Sequence, residues 1–205
     1  ADNSGGGWRI IGAMSDNPYN AQGQCDSSRW TYVGMNPSSP VDNRLPRVDA
    51  YGPYAHIVWQ AGCSLGWEAW YTRWDGSPGA PLTNHKALSE CSQSTTEPDV
   101  AVASPLAATA PPAYVSVVVA VFHCKVPGAS TVEVYSSRSI GEGNPGSWDP
   151  PGRNPCTTPI SGNPSVHSIW PRVEAFSKWV HLTWTENVYL GLDAVRETWY
   201  ARSID

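Results

Sequence analysis

Residues 46–59 read PRVDAYGPYAHIVW, and residues 171–184 read PRVEAFSKWVHLTW. Both keep Pro, Arg, Val, an acid and Ala in one spacing, then an aromatic, His, an aliphatic residue and Trp in another. Between them PDVAV, from Pro98 to Val102, opens a third copy that passes through the loop PLAATAPPA into YVSVVVAVF from Tyr114. Large apolar residues alternating with small or polar ones have the period of a half-buried strand. Another repeated piece follows each copy: EAWYTRWD from Glu68, EVYSSRSI from Glu133 and ETWYARSID from Glu197, with Glu and Arg five apart every time. Each copy thus predicts three short strands, and HKALSE and TTPISG supply a weaker fourth to the first two.

The rest of the composition agrees with an all-β chain. Nineteen Pro and 18 Gly in 205 residues interrupt helices, while Trp, Tyr, Val and Thr fit pleated surfaces. The nearest helix candidate is a short piece from Asp193 to Glu197. Units of four short antiparallel strands, repeating at Pro46, Pro98 and Pro171, predict three β-propeller blades, at about 46–91, 98–161 and 171–205, within one domain over 1–205. A β-sandwich is the structural alternative.

A formal charge of -5 with 13 scattered Lys and Arg argues against nucleic acid or an anionic membrane as partner. No apolar run approaches the roughly 20 residues of a membrane span. Five Cys in a Trp-, Ser- and Thr-rich chain, without C-x-x-C spacing, point to an exported protein with disulfides rather than a zinc site. The start, ADNSGGGW, has no signal-peptide character and reads as a processed N-terminus.

A unit of P-x-V-x-A, aromatic-V-H-[LI]-x-W and E-x-W-Y-x-R-S-x-D resembles the sialidase-like, Asp-box (BNR) propeller family. In that family the box Ser-x-Asp-x-Gly-x-x-Trp forms the turn after the third strand. SIGEGNPGSW from Ser139 looks like a degenerate copy with Gly141 in the Asp place, and RWDGSPG keeps Asp75 and Gly76 but has Trp74 for Ser. The resemblance implies a six-bladed architecture. It further implies that arginines near the start of the inner strand, Arg47 and Arg172, with Asp99 at the equivalent place in the second unit, are the candidates for carboxylate-binding catalysis. The family's Phe-Arg-Ile-Pro stretch is absent, with WRIIG around Arg9 a faint echo, so the reading leans away from an enzyme.

Placed after RSID, the N-terminal ADNSGGGWRIIGAMS reads as the continuation of the third unit, with a strand over residues 8–14. Three blades are too few to close a ring. The expectation is therefore strand exchange with a second chain into a dimeric ring, with head-to-tail growth into a fibre, or a fragment of a longer propeller, as the other accounts. On the blade scheme Cys25 with Cys63 and Cys91 with Cys124 are the expected bridges. Cys156 is left free or inter-chain, and the sequence leaves Cys63 with Cys91 and Cys124 with Cys156 open.

Arg73, Arg138 and Arg202 recur, which reads as architecture: a guanidinium at a turn can bind carbonyls or a carboxylate and hold adjacent strands, with Glu68, Glu133 and Glu197 as the natural partners. His56 and His181 are equivalent, with Ser116 in the second unit, and read as packed polar residues; no metal site and no cofactor are indicated. Trp59, Trp70, Trp184 and Trp199 occupy repeated strand positions and read as packing. Trp30, Trp67, Trp74, Trp148 and Trp170 fall in or beside loops, where flat rings beside polar groups suit sugars. The functional expectation is an extracellular glycan-binding or assembly-forming protein without catalysis. A structural fibre subunit and a sialidase-like glycosidase are the alternatives.

Overall fold

The computed structural model describes residues 11–15, 18, 20–29, 31–34, 42–75, 83–90, 92, 94–103, 116–149, 158–190 and 193–203. Among them the chain is all-β. Sheet I holds β3 (Asn43–Tyr51), β4 (Tyr54–Cys63), β5 (Gly66–Trp74) and β6 (Thr83–Ala87) in sequential order. Sheet II repeats that order with β7 (Thr96–Ala103), β8 (Val117–Cys124), β9 (Glu133–Ser139) and β10 (Trp148–Asp149), and sheet III has β11 (His167–Phe176), β12 (Trp179–Leu190) and β13 (Asp193–Arg202). All pairings are antiparallel. A small separate sheet pairs β1 (Ile11–Met14) with β2 (Thr31–Gly34). The strand expected to stand unpaired ahead of the first unit thus has a partner within its own chain. Residues 8–10 lie outside the described residues.

The repeated proline marks a repeated defect in the ladder. β3, β7 and β11 each carry a register shift just before or at it, between Arg44 and Arg47, Thr96 and Asp99, and Ile169 and Arg172. The residue ahead of each proline, Leu45, Glu97 and Trp170, is left-handed at φ 50, 50 and 55°. Proline cannot donate to a ladder, so the strand steps over it with a bulge.

The three sheets stack like leaves of a fan, with first strands innermost and β7 lying between β3 and β11. Carboxylates tie these inner strands together. Asp49 accepts the Val102 N–H at 2.7 Å, and Asp99 accepts the Val173 N–H at 3.0 Å, capping donors that an inner edge would otherwise leave open. One core lies between sheets I and II, built on Val58, Tyr71, Leu88, Val118, Phe122 and Trp148. A second lies between sheets II and III, on Val119, Val121, Val134, Val173, Leu182 and Trp184. A third, around Ile57, Trp59 and Trp74, covers the other face of sheet I.

Register gives the true correspondence between copies. Arg73 pairs with His56, Arg138 with Val119 and Arg202 with His181. Val119, and not Ser116, therefore stands at the histidine position of sheet II; the inserted loop displaces the sequence match by three residues. A cross-strand aromatic pair recurs on the same count: Trp59 with Trp70, Phe122 with Tyr135, and Trp184 with Trp199.

Three further expectations are corrected. Asp193 to Glu197 is strand, because a tight hairpin pairs Asp193 with Leu190 and alternation continues from there. The fourth strand of sheet II is Trp148–Asp149 rather than TTPISG; Ile160 and Ser161 instead return to the β9 edge through Ile160 N–H to Val134 O and Val134 N–H to Ser161 Oγ. The recurring arginines do not pair with the recurring glutamates. Arg73 binds Glu142 through its carbonyl at 3.0 Å and its carboxylate at 3.7 Å, and Arg138 meets Asp149 at 3.6 Å. Glu68 takes the Trp70 indole N–H and Glu133 takes the Ser161 hydroxyl.

Candidate functional site

Two interfaces join the three sheets, and one is filled while the other is open. At the first, Tyr71 is fully buried: its hydroxyl lies 2.8 Å from His56 Nδ1 and its ring meets Trp148 edge-on at 4.7 Å. Trp148 arrives on the turn between β9 and β10. Ser139 Oγ accepts the Gly143 N–H in that turn, and the Trp148 indole N–H closes on Gly143 O. Gly143 is left-handed at φ 76°, and a Cβ there would overlap the Tyr71 hydroxyl, so glycine is required on both counts. The Glu142 carbonyl and carboxylate then sit on Arg73, whose guanidinium also stacks on Tyr54 at 4.2 Å.

At the second interface the same positions carry small residues. Ser136 stands where sheet I has Tyr71, and Val119 where it has His56. Two rings are missing, and a cavity of about 660 Å3 lies between the sheets here. Its walls are Val119, Val121 and Ser136 of sheet II against Val173, Val180 and Leu182 of sheet III. Arg138 and Lys178 stand at its edge, with Ser203 beside them. The charges of Lys178 and Arg202 lie over the Trp179 ring, at 4.7 and 4.8 Å, on the outer face of sheet III that also carries His181 and Tyr200. Among the described residues Arg138 pairs with the exposed Asp149, an arrangement worth little in water. The result is a largely apolar chamber between sheets II and III.

Burial shapes the acid–base character of the filled interface. It pushes the His56 pKa down to about 4, with the Arg73 charge adding in the same sense, and it raises Tyr71. On the opposite face of sheet II, toward sheet III, burial also lowers His123 to about 4; its Nδ1 accepts the Trp170 N–H. A neutral histidine and a protonated phenol are the forms that packing tolerates, so the pair is a structural clamp.

Arg47, Asp99 and Arg172 are brought onto adjacent inner strands, but as links between sheets. Arg47 and Arg172 each fold back to donate to the carbonyl of the preceding proline, Pro46 and Pro171, at 3.0 and 2.7 Å. Asp99 meets Arg47 at 4.0 Å while holding Val173. The loop tryptophans do not form one surface. Trp74 and Trp148 are buried, Trp74 beside Trp59 and Trp148 against Tyr71, because β5 and β10 turn those positions inward. Trp67 is half-buried under Arg44, Trp170 is exposed with Arg196 over its ring, and Trp30 lies outside the described residues.

The cysteines also depart from expectation. Cys63 and Cys124 are disulfide-bonded, whereas Cys25 is an exposed free thiol, so the Cys25 to Cys63 bridge is not made. Cys91 and Cys156 lie outside the described residues. No group of three or more His, Cys, Asp or Glu capable of holding a metal occurs among the described residues.

The cavity residues were missed by reading the copies as equivalent. The signal was present in E-x-x-Y-x-R, where Glu68 and Glu197 are followed by Tyr71 and Tyr200 but Glu133 by Ser136. No protein-family model, curated protein or solved structure matches the chain.

Proposed function

We propose that this chain is a non-catalytic ligand-binding module of propeller type, with its binding site in the crevice between sheets II and III. One observation carries the reading. Within a single chain, the same interface is built twice, and only in the second are the large interlocking side chains replaced by small ones. Natural interiors are packed to crystal density, and a void of this size between well-formed sheets costs stability unless it serves a purpose. Its volume falls within the roughly 300–1,000 Å3 of small-molecule sites, and its walls are apolar with a few polar groups at the mouth, as such sites are.

Ser136→Tyr tests this directly. It rebuilds the residue that fills the first interface, so the variant is expected to be at least as stable as the parent. It should also lose tenfold or more in affinity for an apolar fluorescent probe titrated into the parent chain. A variant that is destabilised by more than about 2 kcal/mol, or that binds the probe unchanged, would contradict a functional cavity.

The fan of sheets, the repeated bulges and the Ser139–Trp148 turn support the sialidase-like, Asp-box resemblance and blades completed by another chain. The disulfides at Cys63 and Cys124 support an exported location. With Cys25 free, Cys63 with Cys91 and Cys124 with Cys156 becomes the favoured pairing.

Self-association is the second reading, and a specific contrast favours it. The sheet I face carrying His56, Val58 and Tyr71 is buried by sheet II, whereas the equivalent face of sheet III leaves Thr183 and Tyr200 exposed, Tyr200 by 58%. Light scattering is expected to give twice the 22.2 kDa chain mass. A monomer at every concentration would end this reading.

A further inference from the structure

Resting on the reading of the crevice as a binding site, we infer that its ligand is an uncharged, mostly hydrocarbon molecule with a single hydrogen-bonding group, held at the Ser136 hydroxyl. The walls set the first half of that description. Val117, Val119 and Val121 line the sheet II side, and Val173, Val180 and Leu182 the sheet III side. All but one are valines, whose branched side chains have little χ1 freedom, so the chamber holds its shape without a guest.

The polar side chains of the lining set the second half, because all but one are engaged elsewhere. Ser203 closes on Val180 in both directions: its N–H donates to Val180 O at 2.9 Å, and its Oγ accepts the Val180 N–H at 3.1 Å. Arg138 meets Asp149 at 3.6 Å, and the Lys178 and Arg202 charges lie over the Trp179 ring on the outer face of sheet III. That leaves Ser136, paired with Val121 in the ladder, whose hydroxyl has no hydrogen-bond partner among the described residues. A lone hydroxyl among aliphatic walls serves one polar group of a guest. A charged guest would exchange its hydration for valine and leucine, a cost that apolar contact does not offset. A sugar would bring several hydroxyls and find one partner.

The test uses the full oxidised chain and four probes on one framework, 2-naphthol, naphthalene, 2-naphthoate and 2-naphthylmethylammonium, titrated calorimetrically near neutral pH. 2-Naphthol is expected to bind roughly tenfold or more tightly than either ion and about threefold more tightly than naphthalene. Its affinity should not change with salt. Ser136→Ala should bring 2-naphthol down to the affinity of naphthalene and leave naphthalene unchanged, with the near-ultraviolet circular dichroism of the variant matching the parent. Binding of either ion as tight as that of 2-naphthol, blocked by Ser136→Tyr, would overturn the inference and keep the cavity. A preference for 2-naphthol that survives Ser136→Ala would do the same. No binding of any probe, or binding indifferent to Ser136→Tyr, would overturn both.

Discussion

Tyr71→Ala is expected to cost roughly 4–6 kcal/mol, and Tyr200→Ala less than about 1 kcal/mol, although the two tyrosines hold equivalent places and make the same bond. Each hydroxyl lies 2.8 Å from the Nδ1 of its histidine, His56 or His181, and each ring stacks on that histidine at interplanar angles of 29 and 30°. What separates them is burial. Tyr71 is fully enclosed, whereas Tyr200 is 58% exposed. Truncating Tyr71 removes a ring from the first core, opens a cavity beside Trp148 and leaves His56 without its partner in a dry interface. Truncating Tyr200 lets water replace all of these contacts. Guanidinium unfolding followed by tryptophan emission reads both values. Tyr71→Phe divides the larger loss: keeping the ring should leave only about 1–2 kcal/mol, the cost of the unpaired histidine. A loss at Tyr200 matching that at Tyr71 would mean that the outer face of sheet III is covered in solution, which is the outcome self-association requires.

That comparison also shows what could be read in the chain before its structure. The strands of the first and third copies were legible because Pro, His and Trp repeat at identical spacing, and alternation dictates the face of each side chain. The proline was legible as a landmark but not as a bulge, since nothing in sequence shows which carbonyl a strand skips. Sheet II was misread by three residues because its loop insertion has no counterpart and Ser116 lies where a histidine seemed due; only the pairing of Arg138 with Val119 resolves it. Trp74 and Trp148 illustrate the other limit. Both sit beside turn residues, and a one-residue change of register reverses the face a strand residue presents. The expected Cys25 to Cys63 bridge failed for a related reason: connectivity depends on which loop ends meet, and that is a tertiary fact.

The cavity gives the comparison its functional content. Repeats of one unit are built to bury one another, so a departure from the repeat at an interface is more informative than the repeat itself. Ser136 and Val119 are departures of that kind, and they face each other's neighbours on one side of one sheet. Arg138 retains the repeat. The retained Arg138 beside the lost rings marks the second interface as the place where the repeat was relaxed, which is what the proposed binding site rests on.

Acid should unfold the protein from the histidines inward. The folded pKa values of His56 and His123 are lowered from 6.5 to about 4, by burial in both cases and by Arg73 additionally at His56. The unfolded chain takes up these protons near 6.5, and the folded chain only near 4. Between those values the unfolded state binds more protons, so stability is full above about pH 6.5 and falls as the pH drops toward 4. Each histidine contributes a slope of up to about 1.4 kcal/mol per pH unit, and the pair a total loss of roughly 6 to 7 kcal/mol across the window. Burial lowers His85 as well and adds in the same direction. Carboxylates begin to take up protons only near pH 4 to 5, so the upper part of the window, from about 6.5 to 5, belongs to the histidines. Unfolding free energies measured at half-unit steps from pH 7.5 to 4.5 should show this decline, and His56→Gln should remove close to half of its slope while lowering stability at pH 7. A flat profile between pH 6.5 and 5 would mean that both rings are hydrated in solution. The first interface would then be as open as the second, and the contrast on which the binding site rests would disappear with it.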